Sequence, residues 1–160
     1  MTEVSPIELN VGDKAPDFDL PRDGGGRIRL ADFAGKPLVL FFYPKDDTTA
    51  CTTESISFTA LAADFANAGA AILGISPDTV KSHDKFVKKY ALTVPLASDE
   101  EKTMATAYGV WREKSMYGRT YMGVVRSTFL IGADGRIASI WDKVKVAGHA
   151  DAVLAAAREL

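Results

Sequence analysis

The sequence predicts an α/β protein, with a mixed central β-sheet flanked by helices and an N-terminal β-hairpin. Three observations carry this. Two continuous apolar runs of strand length, "PLVLFFY" (37–43) and "AAILGIS" (70–76), have the pattern of strands covered on both faces. A stretch of helical periodicity follows each of them. Near the C-terminus, "STFLIGADGRIASIW" (127–141) divides around Asp134-Gly135, a dipeptide suited to the positive φ angles of a tight hairpin turn.

In chain order, "DFDL" and "RIRL" alternate apolar and polar residues on either side of Gly24, Gly25 and Gly26, which is the pattern of a hairpin. A phosphate-binding glycine loop would follow a buried strand and open a helix, and neither condition is met here. After "PLVLFFY", the residues Phe58, Leu61, Ala62 and Phe65 form one apolar stripe on a helix predicted from about Ala50 to Asn67, stopped by Gly69. After "AAILGIS", "DTVKSHDKFVKKYAL" predicts a second helix, with Asp78 as N-cap, Phe86, Val87 and Tyr90 facing inward and the lysines solvated. Strand, helix, strand and helix imply a right-handed parallel crossover. The segment "GVWREKSMYGRTYMG" reads as a loop near the pocket, its aromatics serving either the core or the substrate. The two strands around Asp134-Gly135 should be antiparallel, and "HADAVLAAAREL" closes the chain as a helix packed through Val153, Leu154 and Ala157. This order resembles the thioredoxin fold.

The chain has 160 residues, 47% hydrophobic and 25% charged, which fits a single domain over residues 1–160 with one core. Nineteen Lys and Arg against 21 Asp and Glu give a net charge of −2, so no basic field exists for nucleic acid or an anionic membrane. "MTEVSPIELN" lacks the basic and apolar regions of a secretory leader, and no apolar run approaches the ~20 residues that span a bilayer. A cytoplasmic protein is expected, and its 1 cysteine, which cannot form an intrachain disulfide, fits a reducing compartment.

That cysteine, Cys51, falls just beyond the carboxyl end of the first buried strand and in the first turn of the next helix, where open α/β sheets bind ligands. As a lone thiol it could be a small buried hydrophobe. A disulfide reductase needs C-x-x-C, and a cysteine phosphatase or arsenate reductase needs an arginine where Phe58 stands. Zinc finds no compact ligand set in one Cys with His83 and His149, which read as capping or surface residues, and no cofactor or metal is expected.

A nucleophilic thiol must ionise, and helix-start amides supply only ~0.3–2 kcal/mol toward that. A cation from elsewhere is required, because Asp46 and Asp47 oppose ionisation unless they face solvent. Full ionisation raises the thiolate fraction at neutral pH only about thirtyfold, so a fast enzyme must also stabilise charge on the leaving atom. Thr48 offers a hydroxyl across the turn, and Arg126, at the start of "STFLI", offers the remote cation with a fork of fixed donors.

Pro44, Thr48 and Cys51 in "YPKDDTTAC" form P-x-x-x-T-x-x-C, which resembles the active-site signature of the peroxiredoxins. "FFYPKDDTTACTTE" is similar to the bacterioferritin-comigratory protein/PrxQ branch, and "VGDKAPDFDL", "ILGISPD", "KSHDKF", "PLASDE", "AYGVW" and "RSTFLIGADGRI" extend the match over most of the chain. The resemblance implies Cys51 as the peroxidatic nucleophile and Thr48 as hydrogen-bonding partner of sulfur and peroxide. It implies Arg126 as the group that activates the thiolate and polarises the O–O bond, and Pro44 as the shield of the sulfenic acid. It also implies a peroxide substrate and a monomer.

Two departures stand out: Thr49-Ala50 replaces a frequent Pro-Gly, and Ile56 and Val87 occupy the two positions where a resolving cysteine would stand. The resemblance therefore implies a one-cysteine enzyme restored by an external thiol such as thioredoxin, glutaredoxin or glutathione. Glu54 is expected to favour the helix start electrostatically, with a hydrogen-bond role in the site as the alternative.

Overall fold

The computed structural model describes residues 9–160; the reading of "MTEVSPIELN" as lacking a leader falls mostly on residues outside this range. The chain opens with a hairpin of β1 (Asp19–Pro21) and β2 (Arg27–Arg29). Gly24, Gly25 and Gly26 all have φ between 76° and 93°, a left-handed run in which side chains would be strained. A 3-10 turn over Leu30–Phe33 leads into β3 (Leu38–Phe42), every residue of which is buried. Helices α1 (Thr49–Ala60) and α2 (Ala62–Asn67) follow, then β4 (Ala71–Ser76), α3 (Val80–Tyr90), β5 (Leu96–Ser98) and α4 (Thr103–Ala107). A second hairpin, β6 (Trp111–Met116) and β7 (Arg119–Val124), precedes β8 (Ser127–Ile131), β9 (Ile137–Trp141) and α5 (His149–Arg158).

The main sheet runs β5-β4-β3-β8-β9, with β3 in the middle. β3 is parallel to β4 and antiparallel to β8, so the sheet is mixed as predicted. Alternate side chains of β3 enter opposite layers. Leu38, Leu40 and Phe42 join Tyr108, Phe129 and Ile131 on one face. Val39, Phe41 and Tyr43 join Phe58, Phe65, Phe86 and Val153 on the other. The single core expected from length is thus two apolar clusters divided by the sheet. Gly74 is dictated by this packing, since a Cβ there would lie 2.7 Å from the Phe41 ring.

Four readings change. The predicted Ala50–Asn67 helix bends at Leu61 (φ −99°, ψ 7°), and the bend leaves Phe58 and Phe65 both in the core with ring centroids 5.8 Å apart. The N-cap of α3 is Thr79, whose hydroxyl accepts from the Ser82 amide at 3.1 Å, while Asp78 is taken up by Ser76 and by the amide of Asp46. The segment read as a loop is the β6–β7 hairpin, turning through Tyr117 (φ 53°) and Gly118 (φ 75°). Its strands are exposed chiefly toward the turn and along β7 and lack the apolar alternation that marks half-buried ones, and Tyr117 is 98% exposed while Tyr108 is core. Finally, His83 and His149 are buried rather than superficial. Among the described residues no helix is long and apolar enough to cross a membrane.

Candidate active site

β3 delivers the chain to Tyr43, buried, and Pro44, half-buried, before a turn that includes Asp47 at φ 57°. α1 then begins with Thr48 as N-cap in extended conformation (φ −97°, ψ 157°). The Thr48 hydroxyl donates to the Lys45 carbonyl at 2.8 Å, and the Thr48 carbonyl accepts from the Thr52 amide. Cys51 lies in the first helical turn, 1% exposed, with its sulfur in the layer that includes Phe58 and Leu130.

Arg126 reaches Cys51 although 75 positions separate them. The cause is strand register: Phe42 at the end of β3 pairs with Ser127 at the start of β8, so residue 126 stands level with the strand end that feeds α1. Arg126 Nη2 donates to Cys51 Sγ at 3.1 Å and Nη1 donates to Glu54 Oε1 at 2.7 Å. One planar fork therefore spans a sulfur and a carboxylate on successive turns of the same helix face. The Val144 amide fixes the Arg126 carbonyl at 2.9 Å.

Burial pushes the Glu54 carboxyl up to about 7, against the downward pull of the Arg126 charge and hydrogen bond. Its second oxygen, Oε2, has no hydrogen-bond partner among the described residues. For Arg126, burial works against the charge, but Glu54 and Cys51 outweigh it and hold the guanidinium pKa above its ordinary value. Burial, then Arg126, push the Lys114 ammonium down, with Cys51 opposing; its Nζ donates to the Val124 carbonyl at 2.9 Å. Burial and the Arg126 charge also push His149 down to about 4, so it is neutral at physiological pH, sharing a 2.8 Å hydrogen bond with the Thr128 hydroxyl.

The raised Glu54 pKa has a measurable sign. The folded chain keeps a proton that the unfolded chain releases above about 4.5. Glu54 therefore favours folding fully below that value, and the contribution is lost as pH rises to about 7. Denaturant unfolding of the native chain and of Glu54→Gln should show the native chain losing stability relative to the variant over this window, by on the order of 3 kcal/mol. A difference that stays constant with pH would contradict the assignment.

The structure brings Cys51 and Arg126 into contact and sets Thr48 at the head of the same helix, its hydroxyl donating to the Lys45 carbonyl. Pro44 stands one residue past the buried end of the strand segment. Of the two parts open to Glu54 in the sequence, the structure shows the hydrogen bond within the site, and its position three residues after Cys51 puts it on the same helix face. Among the described residues Asp46, Asp78 and His83 place metal-ligand atoms within 4.8 Å of one another. Those atoms are already engaged by each other and by Tyr43, Ser76, Ser82 and the Ala97 carbonyl, so the group is a closed hydrogen-bond network.

Residues 11–140 match the AhpC/TSA family. The chain belongs to that family. It is 51% identical over 144 residues to the peroxiredoxin Bcp of Xanthomonas campestris, a match covering 89% of this chain and 90% of that protein. To the peroxiredoxin Bcp of Escherichia coli it is 40% identical, over 91% and 94% of the two chains. Its fold is similar to that of Xanthomonas campestris peroxiredoxin Q, with a TM-score of 0.87 at 47% identity over 96% of this chain and 97% of the other. This family member is therefore a peroxiredoxin of the Bcp/PrxQ branch, with a thioredoxin-like fold and thiol peroxidase activity. Its sequence has a single cysteine. Where a second would be expected, Ile56 is 43% exposed on α1 and Val87 is partly buried on α3.

Proposed function

We propose that this peroxiredoxin works through Cys51 alone, reducing hydrogen peroxide and organic hydroperoxides and depending on an external thiol to return. The Cys51 thiolate attacks the terminal peroxide oxygen. An S–O bond forms, the O–O bond breaks, and the departing oxygen takes a proton to leave as water or an alcohol. An external thiol then displaces water from the sulfenic acid, forming a mixed disulfide, and a second thiol equivalent releases Cys51. Thioredoxin, glutaredoxin or glutathione supplies those thiols in a reducing compartment, the cytoplasm. Organic hydroperoxides are included because structures of the similar Xanthomonas campestris bacterioferritin comigratory protein, 46% identical with a TM-score of 0.87, address alkyl peroxide reduction by that protein.

The observation that best supports the reading is the Arg126 fork, with Nη2 at 3.1 Å from Cys51 Sγ. A guanidinium so placed stabilises the sulfur anion and has further N–H groups for an oxygen bound beside it. Thr48 supports it in a specific way. Its proton is committed to the Lys45 carbonyl, so toward a ligand the hydroxyl offers lone pairs and accepts the peroxide O–H. Pro44 shields the sulfenic acid from bulk water. The chain acts as a monomer in this reading.

Rapid-mixing oxidation of Cys51 by hydrogen peroxide and by an alkyl hydroperoxide, followed by addition of each thiol system separately, tests the proposal. Oxidation far faster than that of free cysteine, with stoichiometric recovery of the thiol, is expected. A rate equal to that of free cysteine would sink it. Thr48→Val should slow oxidation about ten- to a hundredfold, the loss of a hydrogen bond made to the reacting peroxide, while Thr48→Ser should stay within a few fold of the native rate.

A further inference from the structure

His83 is 0% exposed, carries both ring nitrogens in hydrogen bonds, and has no part in the chemistry above. Its Nε2 lies 2.9 Å from the Ala97 carbonyl, which can only accept, so this nitrogen bears a proton. Its Nδ1 lies 2.8 Å from Asp46 Oδ2, a carboxylate oxygen that also accepts from the Ser82 hydroxyl at 2.8 Å. The other oxygen, Oδ1, accepts from the Tyr43 hydroxyl at 2.6 Å. When Nδ1 donates to this carboxylate while Nε2 donates to Ala97, the imidazole is a buried cation. Burial by itself pushes the His83 pKa down, but the Asp46 hydrogen bond and charge, the Ala97 carbonyl and Asp78 outweigh it and hold it above the ordinary histidine value.

Asp46 belongs to the turn that carries the site. Its amide donates to Asp78 Oδ2 at 2.8 Å, and that oxygen is held in turn by the Ser76 hydroxyl at 2.6 Å. The carbonyl of the same planar peptide, Lys45–Asp46, is the one that receives the Thr48 hydroxyl proton. The peptide plane is thus fixed at its N–H by Asp78 and at the Asp46 side chain by His83. The direction of its C=O then decides where the Thr48 lone pairs point.

We propose that His83, acting through Asp46, is a positioning residue that sets the Lys45–Asp46 peptide plane and so aims the Thr48 hydroxyl at the peroxide. This rests on the reading of Cys51 and Thr48 given under Proposed function. A consequence follows for pH. Loss of one ring proton leaves a neutral imidazole with a single N–H, which cannot serve both Asp46 and Ala97, so the aim degrades on the alkaline side. The titratable groups facing His83 are Asp46, Asp78 and Tyr43, the last pushed well above its usual value by burial and then by Asp46, so it stays neutral. On the N-terminal hairpin Arg22 bridges to Ala97 and is paired with Asp23 at 3.3 Å.

The test compares two rates at the single thiol of the full chain, oxidation by hydrogen peroxide and alkylation by iodoacetamide. Both need the thiolate, but only the first needs Thr48, so their ratio isolates the aim. His83→Gln should lower the ratio about tenfold, the equivalent of one hydrogen bond, and should lower it less than twofold in a Thr48→Val background. An unchanged ratio, or the same tenfold fall without the Thr48 hydroxyl, overturns the proposal. The native chain gives a second readout that does not depend on the variant folding. The ratio should hold over the pH range in which nuclear magnetic resonance detects both His83 ring N–H protons, and fall as one of them is lost. A ratio flat through that loss overturns it as well. Failure of the underlying site reading looks different, as a native peroxide rate no faster than that of free cysteine.

Discussion

Cys51→Ser is expected to abolish peroxide consumption, with turnover in excess dithiothreitol at least about a thousandfold below that of the native chain. A serine hydroxyl in the same turn is un-ionised at neutral pH and forms no counterpart of a sulfenic acid. No other thiol exists in the sequence to take over. Cys51 is fully buried and small, so the exchange to serine removes little volume and the fold should survive. Loss of activity with an unaltered denaturation midpoint is therefore the predicted pair of results. Retention of more than a few per cent of native turnover would move the chemistry to another group.

Arg126→Ala should slow oxidation of Cys51 by about a hundred- to a thousandfold, the usual cost of deleting a preorganised donor at a developing charge. The sulfur stays in place, so the effect should appear in the rate constant for peroxide with full titratable thiol. Arg126→Lys should recover only part of the rate, because an ammonium restores the charge but not the fork that reaches Cys51 and Glu54 together. Breaking a buried pair normally costs about 3–5 kcal/mol in stability by stranding the partner charge. Glu54 has an escape from that penalty, since its carboxyl already stands near 7 and takes up a proton once the guanidinium is gone. Arg126→Ala should accordingly fold well at pH 6 and lose stability above it, measured by denaturant unfolding at both pH values. A rate within a few fold of native would remove Arg126 from the mechanism.

The strands that build the site were legible because they are buried on both faces: "LVLFF" and "STFLI" have no polar face to disguise them. The first turn of α1 was legible as well, although by position alone Cys51 reads equally as a small buried hydrophobe, and the P-x-x-x-T-x-x-C pattern carried the reading as a nucleophile. What the sequence concealed was pairwise. Nothing local in "KSHDKF" or "PKDD" tells that His83 enters a network with Asp46, because the contact spans 37 positions and depends on how α3 packs against the end of β3. Glu54 was half-legible: its spacing from Cys51 is a helix repeat, but its partner is set by strand register. The β6–β7 hairpin escaped for the opposite reason, being too exposed for hydrophobic alternation to announce it. Its Tyr117-Gly118 turn was the available signal.

The antiparallel pairing of Phe42 with Ser127 has an outcome beyond geometry. During folding, the helix bearing the sulfur can form early from neighbouring residues, whereas the strand bearing the guanidinium must wait for a loop of some eighty residues to close. If Arg126 activates Cys51 as proposed, a newly made chain gains its reactive thiol only once β3 and β8 have paired. On that reading, peroxidase chemistry waits for the middle of the sheet to be complete.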